Sequence, residues 1–311
     1  MYKYILAVLC CISKAYACDL CSCSPAVMNM DVLSLQPQST VGVSTQYRNV
    51  KYLTSDVNMK RTQVLSQSYF ISYAPKKWVD IRLSLPLIWM FNDYHLQDQN
   101  TPDLHEKKMG LGDLMLFSNF RVYAAQRSGK RKAGHALYLG YGMSFPTGSK
   151  RASSNQLLQD FNFGTQSVAY YCSGMYSLSI KNWGLVNAAL VKLNMYNKDR
   201  IRYGHLYTYQ LSANYTHYFT KGCTITPMLG VRSDIAQKNL KNAIRQPLSG
   251  SWMVSANIGI QVGYRGFIVM ANLFQPVAQN TSEKTILQKT GVSATLRYEI
   301  KRKNKLTTIN H

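Results

Sequence analysis

The sequence predicts an all-β protein, a transmembrane antiparallel up-and-down β-barrel of about 12 strands. Three observations carry the prediction. Long segments alternate apolar and polar side chains with a period of two, which gives a strand one apolar and one polar face. These segments commonly reach 12 or more residues. A sandwich strand has roughly 5–6, and a tilted strand needs about 9–11 to cross a bilayer. The connections alternate short and long, as they do in barrels that span membranes.

The stretch from Gly110 to Gly148 shows the pattern most plainly, as two alternating strands joined by a polar, basic turn. Leu114, Leu116, Phe120 and Val122 share one face, and Asp113, Asn119 and Arg121 the other. Twelve candidate strands follow the same rule: 39–52, 62–74, 78–91, 111–124, 135–146, 164–178, 183–196, 204–219, 222–234, 251–264, 266–276 and 290–302. In the third, Val79, Ile81, Leu83, Leu85 and Leu87 oppose Asp80, Arg82 and Ser84. In the eighth, Tyr207, Tyr209, Leu211, Ala213 and Tyr215 oppose Thr208, Gln210, Ser212 and Asn214. The tenth sets Trp252, Val254, Ile258 and Ile260 against Ser255, Asn257, Gly259 and Gln261. The last sets Val292, Ala294, Leu296 and Tyr298 against Ser293, Thr295, Arg297 and Glu299.

Short turns fall near Pro75-Lys77, Ile180-Asn182, Thr220-Lys221 and Tyr264-Gly266, with 127–134 a longer member of that set. Long polar connections occupy 92–110, 147–163, 197–203, 235–250 and 277–289. An even strand count places both termini at the short-turn end, the periplasm of a Gram-negative bacterium. Trp78, Trp89, Tyr94, Trp183, Tyr203 and Trp252 lie near strand ends, where interfacial girdles belong. A soluble sandwich would show alternation too. The strand lengths and the Ser, Thr, Asn, Gln and Gly content of the polar face favour a closed barrel with a wet lumen. Closure also satisfies every backbone edge in lipid.

The segments outside the barrel divide the rest of the chain. Residues 1–17 read as an export signal, with Lys3, the apolar run Tyr4–Ile12 and the small-residue site Ala15-Tyr16-Ala17. Residues 18–38 form a cysteine-bearing periplasmic segment, 39–302 the barrel and 303–311 a basic periplasmic tail. Cys18, Cys21 and Cys23 lie within six residues. They admit a soft-metal site for copper or zinc, a disulfide with one spare thiol, or lipidation at Cys18. The net charge is 36 − 14 = +22, and +20 once Lys3 and Lys14 leave with the signal. Such a charge suits anionic partners. Because the basic residues recur in separate short turns, the expected partners are outer-membrane lipid and lipopolysaccharide, the barrel assembly machinery and a small-molecule solute, not nucleic acid.

Gly110-Leu-Gly-Asp-Leu114, then Phe120-Arg121, then Ser144-Phe-Pro-Thr-Gly148 resemble a known family. It is the outer-membrane transporter family named for the meta-cleavage pathway of phenol degradation, distantly similar to the fatty-acid transporter barrels. Leu83–Trp89 and Gly164–Tyr170 also fit, and the N-terminal Cys-x-x-Cys-x-Cys resembles a Bacteroidetes-type variant. The resemblance implies the fold and an outer-membrane location, and carries over no substrate-binding residues. The chain departs from it in running past Ile300 into Lys301-Arg-Lys-Asn-Lys305 and on to His311.

Function is expected to be passive passage of small solutes, hydrophobic or anionic. The candidate lumen-lining residues are Asp80, Arg82, Asp113, Arg121, Arg232, Arg297 and Glu299. The plainer role for these charges is an ion-paired network that holds the barrel closed; Asp80 with Arg82 and Arg297 with Glu299 share a face at i, i+2. The alternative function is a non-conducting structural or metal-handling barrel. The 92–110 loop adds Asp93, His95, Asp98, Asp103, His105 and Glu106 as divalent-metal candidates. An enzyme is not expected: the His-x-Ser-Asn-Gly stretch of the barrel phospholipases does not occur in the sequence.

Overall fold

The computed structural model describes residues 38–52, 59–94, 104–125, 133–149, 163–219, 222–246, 249–281 and 286–300. The export signal, Cys18, Cys21 and Cys23, the basic tail, and His95, Asp98 and Asp103 lie outside them. In chain order the strands are β1 (Thr40–Tyr52), β2 (Met59–Lys76), β3 (Val79–Tyr94), β4 (Leu104–Leu111), β5 (Leu114–Ala125) and β6 (Ala133–Phe145). They continue as β7 (Ala169–Ile180), β8 (Trp183–Asn194), β9 (Ile201–Arg202), β10 (Leu206–Tyr215), β11 (His217–Tyr218) and β12 (Cys223–Ala236). The last are β13 (Leu240–Lys241), β14 (Ile244–Arg245), β15 (Ser251–Tyr264), β16 (Phe267–Thr281) and β17 (Ile286–Glu299).

Each wall strand pairs antiparallel with its chain neighbours, β10 with β12 among them, and one further pairing closes the cylinder: the first strand pairs with the last, Thr40 opposite Glu299 and Tyr52 opposite Ile286. β4 and β5 are one wall strand broken at Gly112-Asp113, and β10 and β11 are one strand broken at Thr216. With β9, β13 and β14 set apart as a separate small sheet, twelve wall strands remain. The termini of the wall lie at the end that carries the short turns. At one of these, Arg265 (φ 49°) and Gly266 (φ 90°) both take left-handed backbone, the two-residue hairpin geometry that matches strand twist.

The barrel has no conventional core. Ile81, Leu83, Leu139, Leu211, Leu229, Ile258, Val269 and Leu296 are exposed on the outside, while Ser84, Ser212, Asn257, Thr295 and Arg297 are buried within the lumen. That is the inside-out arrangement of a sheet whose outer face meets lipid. Among the described residues no helix is long and apolar enough to cross a membrane.

Three expectations are corrected. Residues 164–168 are turn and coil rather than strand, and lead into β7. The described residues of the 92–110 segment are wall: β3 runs to Tyr94, and Leu104–Leu111 is strand, paired with β3 from Leu87–Leu111 to Tyr94–Leu104. The polar connections around 197–203 and 235–250 hold the small sheet of β9, β13 and β14. There Tyr203 is buried rather than interfacial, next to Gly204, whose carbonyl and amide are held by Asn194 and Asn239.

Candidate functional site: the lumen and its latched loop

The inward side chains divide the lumen into two arcs. From β2 to β8 the wall presents the large buried side chains Val64, Phe70, Ile88, Met90, Met115, Phe117, Tyr138, Tyr171 and Leu190, interspersed with smaller or polar ones such as Thr62, Ser68, Ser72, Ser84, Asn92 and Lys192. From β10 round to β1 it presents mostly hydroxyls and amides, among them Thr208, Ser212, Thr226, Asn257, Gln261, Ser293 and Thr295. Within the first arc Met115, Phe117, Ala169, Tyr171 and Leu190 form one apolar cluster, and the Tyr171 hydroxyl reaches Met115 Sδ at 3.7 Å. The Phe117 ring lies flat on the wall because β6 offers Gly140 and Gly142 beneath it: a Cβ at either would run into that ring.

The charged residues take separate roles. Asp80 accepts a hydrogen bond from Ser72 Oγ at 2.9 Å. Arg82 stacks its guanidinium 5.0 Å from the centre of the Phe70 ring instead of pairing with Asp80. Arg121 faces Tyr138 across β5 and β6 and is hydrogen-bonded to its hydroxyl. Arg232 grips Asp234 with two parallel bonds, Nε to Oδ2 at 2.8 Å and Nη2 to Oδ1 at 2.9 Å. Thr208 Oγ1 donates to the same carboxylate at 2.6 Å. Arg297, almost fully buried, contacts Glu299 at 3.5 Å. Two participants escaped the sequence reading. Asp234 and the buried Lys192, whose ammonium lies 5.9 Å from the centre of the Tyr171 ring, both sit on the inward phase of their strands. The i, i+2 spacing of Arg232 and Asp234 is the signal that marks the first pair.

Asp113 holds a loop. Its carboxylate accepts bonds from the Gly148 amide at 3.0 Å, the Thr165 amide at 2.7 Å and Thr165 Oγ1 at 2.6 Å. Hydrogen bonds to a charged acceptor contribute about 1.5–3 kcal/mol each. Thr147 Oγ1 accepts from the Leu114 amide at 2.8 Å, and the Ser149 amide donates to Leu111 O at 2.8 Å. With that segment fixed, Phe163 packs into the barrel mouth against Val64, Ile88 and Met90. Glycine is required at the closest approaches: a Cβ on Gly148 would lie 2.6 Å from Gly164 Cα and 2.8 Å from Asp113 Oδ1, and a Cβ on Gly110 would meet the Phe163 ring. The Gly-x-Gly-Asp and Pro-Thr-Gly motifs, 35 residues apart from Asp113 to Gly148, are thus two halves of one latch.

Of the candidate metal residues in the 92–110 segment, Asp93 and His105 face each other across β3 and β4 at 2.9 Å, and Glu106 pairs with Lys108 at 2.8 Å. No group of three metal-ligating side chains forms among the described residues. Cys172 and Cys223 are both free thiols, the first exposed and the second half-buried.

No protein-family model matches the chain, and no curated protein matches it in sequence. Solved structures do. The COG4313 outer membrane channel from Pseudomonas putida F1 superposes with a TM-score of 0.62 at 12% identity, covering 85% of this chain and 96% of that one. The fold is that of an outer-membrane barrel. The β domain of the Bordetella autotransporter BrkA is similar at a TM-score of 0.50 and 11% identity, covering 85% of this chain and all of that one, 100%. Identities of this size speak for the barrel fold and not for the role of any residue in its lumen.

Proposed function

We propose that this barrel is an outer-membrane channel that passes small amphipathic solutes by diffusion, with an apolar or aromatic side and a polar or anionic one. The observation that carries the reading is the two-sided lumen. Its apolar arc suits a ring or short alkyl group through dispersion contacts and the aromatic faces of Phe117 and Tyr171. Its polar arc holds two buried amides, those of Asn257 and Gln261, whose oxygen and nitrogen find no hydrogen-bond partner in the closed packing. Unpaired buried polar groups are costly, so a solute or water entering the lumen gains by pairing with them. The channel reading also draws on the name of the Pseudomonas putida barrel, and it favours a conduit over an enzyme. In this reading the short turns and both termini face the periplasm, and the latched loop faces outward.

Solute uptake into liposomes tests it, comparing benzoate and benzyl alcohol with acetate and glycerol. Faster, saturating entry of the two aromatic solutes, weakened in both Phe117→Ala and Gln261→Leu, is the expected result. Equal entry of all four solutes, or no change in either variant, would defeat the amphipathic reading. The near-complete burial of each of Phe163, Tyr171, Gln261 and Arg297 favours a second reading, a barrel that stays shut and serves as structure. Silence of the protein in planar bilayers, with the latch intact and with Asp113→Ala, would select that one.

A further inference from the structure

Outside the lumen, the small sheet at the long-loop end forms a surface of its own. β9, β13 and β14 form a three-stranded antiparallel ribbon: Arg202, Leu240 and Arg245 lie in one row, and Ile201, Lys241 and Ile244 in the next. Directly opposed residues of an antiparallel pair share a face, so Lys241 stands between two isoleucines. Of these Ile244 is 70% exposed. Tyr196 and Met195, where the chain leaves β8, are exposed too, and at the opposite edge of the ribbon from β14 Tyr196 bridges to Arg202 with the guanidinium 5.7 Å from the ring centre.

The segments 195–205 and 237–246 carry Lys198, Arg200, Arg202, Lys238, Lys241 and Arg245 against the single acid Asp199, a balance of 6 − 1 = +5. They are held in shape by their own bonds. Asn197 Oδ1 accepts from the Asp199 and Ile201 amides at 3.0 and 2.8 Å. The Asn242 amide reaches Arg200 O at 3.1 Å. Asn239 Oδ1 accepts from the Gly204 amide at 2.8 Å, and the Asn239 amide donates to Ser249 Oγ at 2.9 Å. Arg200 (φ 56°), Asn242 (φ 52°) and Ala243 (φ 65°) are fixed in left-handed backbone at the two turns.

One face of this ordered ribbon sets Lys241 between Ile201 and Ile244, and the other sets Leu240 between Arg202 and Arg245 with Tyr196 at the edge, so each face joins cationic to apolar groups. A soluble polyanion gains nothing from Ile244. A phosphorylated lipid headgroup, whose phosphates sit just above its acyl chains, matches both features: ammonium and guanidinium groups for the phosphates and apolar side chains for the acyl boundary. We propose that this ribbon is a docking site for the phosphate groups of a glycolipid of the lipid A type in the surrounding leaflet. The site rests on the outer-membrane placement proposed above but not on conduction.

Native mass spectrometry of the full chain in detergent, titrated with diphosphoryl lipid A, tests the site. The paired variant Lys241→Glu/Arg245→Glu is expected to weaken lipid A retention by about tenfold or more, given what each basic residue contributes near an anionic surface. Phosphatidylcholine binding should be unchanged. Ile244→Ser should weaken lipid A but not inorganic tripolyphosphate. Heat-modifiable gel mobility confirms that each variant is a folded barrel. Equal lipid A retention by wild type and the charge-reversal variant would overturn the site. Tripolyphosphate displacing lipid A at equal phosphate concentration would overturn the lipid assignment. Because the assay has no conductance readout, its failure leaves the channel reading standing, and a silent channel leaves this site standing.

Discussion

At the scale of single residues, Asp113 is the most consequential side chain in the lumen, because one carboxylate organises a loop that the wall alone would not hold. Replacing it with alanine removes three acceptor bonds and leaves the wall pairing of β5 with β3 and β6 in place. Single-channel recording should then show a larger conductance, and hydrogen exchange at 163–168 should accelerate, with heat-modifiable mobility unchanged. A conductance equal to wild type would mean that Phe163 does not limit the mouth. Gly142 works in the opposite sense: Gly142→Val forces the Phe117 ring off the wall, and conductance should fall. At the loop end, burial and then the neighbouring Arg202 hold His205 below its ordinary value. The neutral ring accepts the Asn194 amide proton at 3.1 Å. With a lowered folded value, the stability it contributes is complete above the unfolded value of about 6.5 and is lost as pH falls through the folded one. Protection of the Asn194 amide should therefore drop on acidification, and a His205→Asn variant should show no such step.

At the scale of elements, the wall is held by strand pairs whose inward rows couple neighbours, and β10–β12 is the best example. Arg232→Met leaves Asp234 partly buried with only Thr208 to satisfy it, which costs about 2–4 kcal/mol after allowing for its partial exposure. The double change Arg232→Met/Asp234→Leu should recover most of that loss, and urea unfolding of folded barrels in detergent would measure both. The same rows show what could be read from sequence. Alternation located the inward phase of β3, β10, β15 and β17 residue by residue, because a two-residue period leaves no freedom once one face meets lipid. It failed where inward and outward residues are both apolar. Met115, Phe117, Tyr171 and Leu190 are not singled out by the pattern, since nothing local distinguishes a ring facing a lumen from one facing lipid. The break at Gly112-Asp113 was also invisible as a break, because the latch that explains it comes from residues 147–149 and 163–165. The ribbon was missed because strands of two residues have no measurable period.

At the scale of the whole molecule, the inward charges do not cancel. Among the described residues Arg48, Arg82, Lys108, Arg121, Lys192, Arg232 and Arg297 stand against Asp80, Glu106, Asp113, Asp234 and Glu299, a surplus of 7 − 5 = +2. Reversal potentials under a potassium chloride gradient should show anion preference, weakening with ionic strength and shrinking in Arg82→Gln. Cation preference would require a path that avoids the arginines. The seam between β1 and β17 sets a different limit. Ser44 and Thr295 join their hydroxyls at 2.9 Å across 251 residues of sequence, so the cylinder cannot close until almost the entire barrel-forming chain exists. Contacts this remote in sequence slow folding, and until they form the growing sheet keeps two bare edges. A chain cut before Ile286 is therefore not a smaller barrel but an open, adhesive sheet, and the final strand acts as the chain's own timer for insertion.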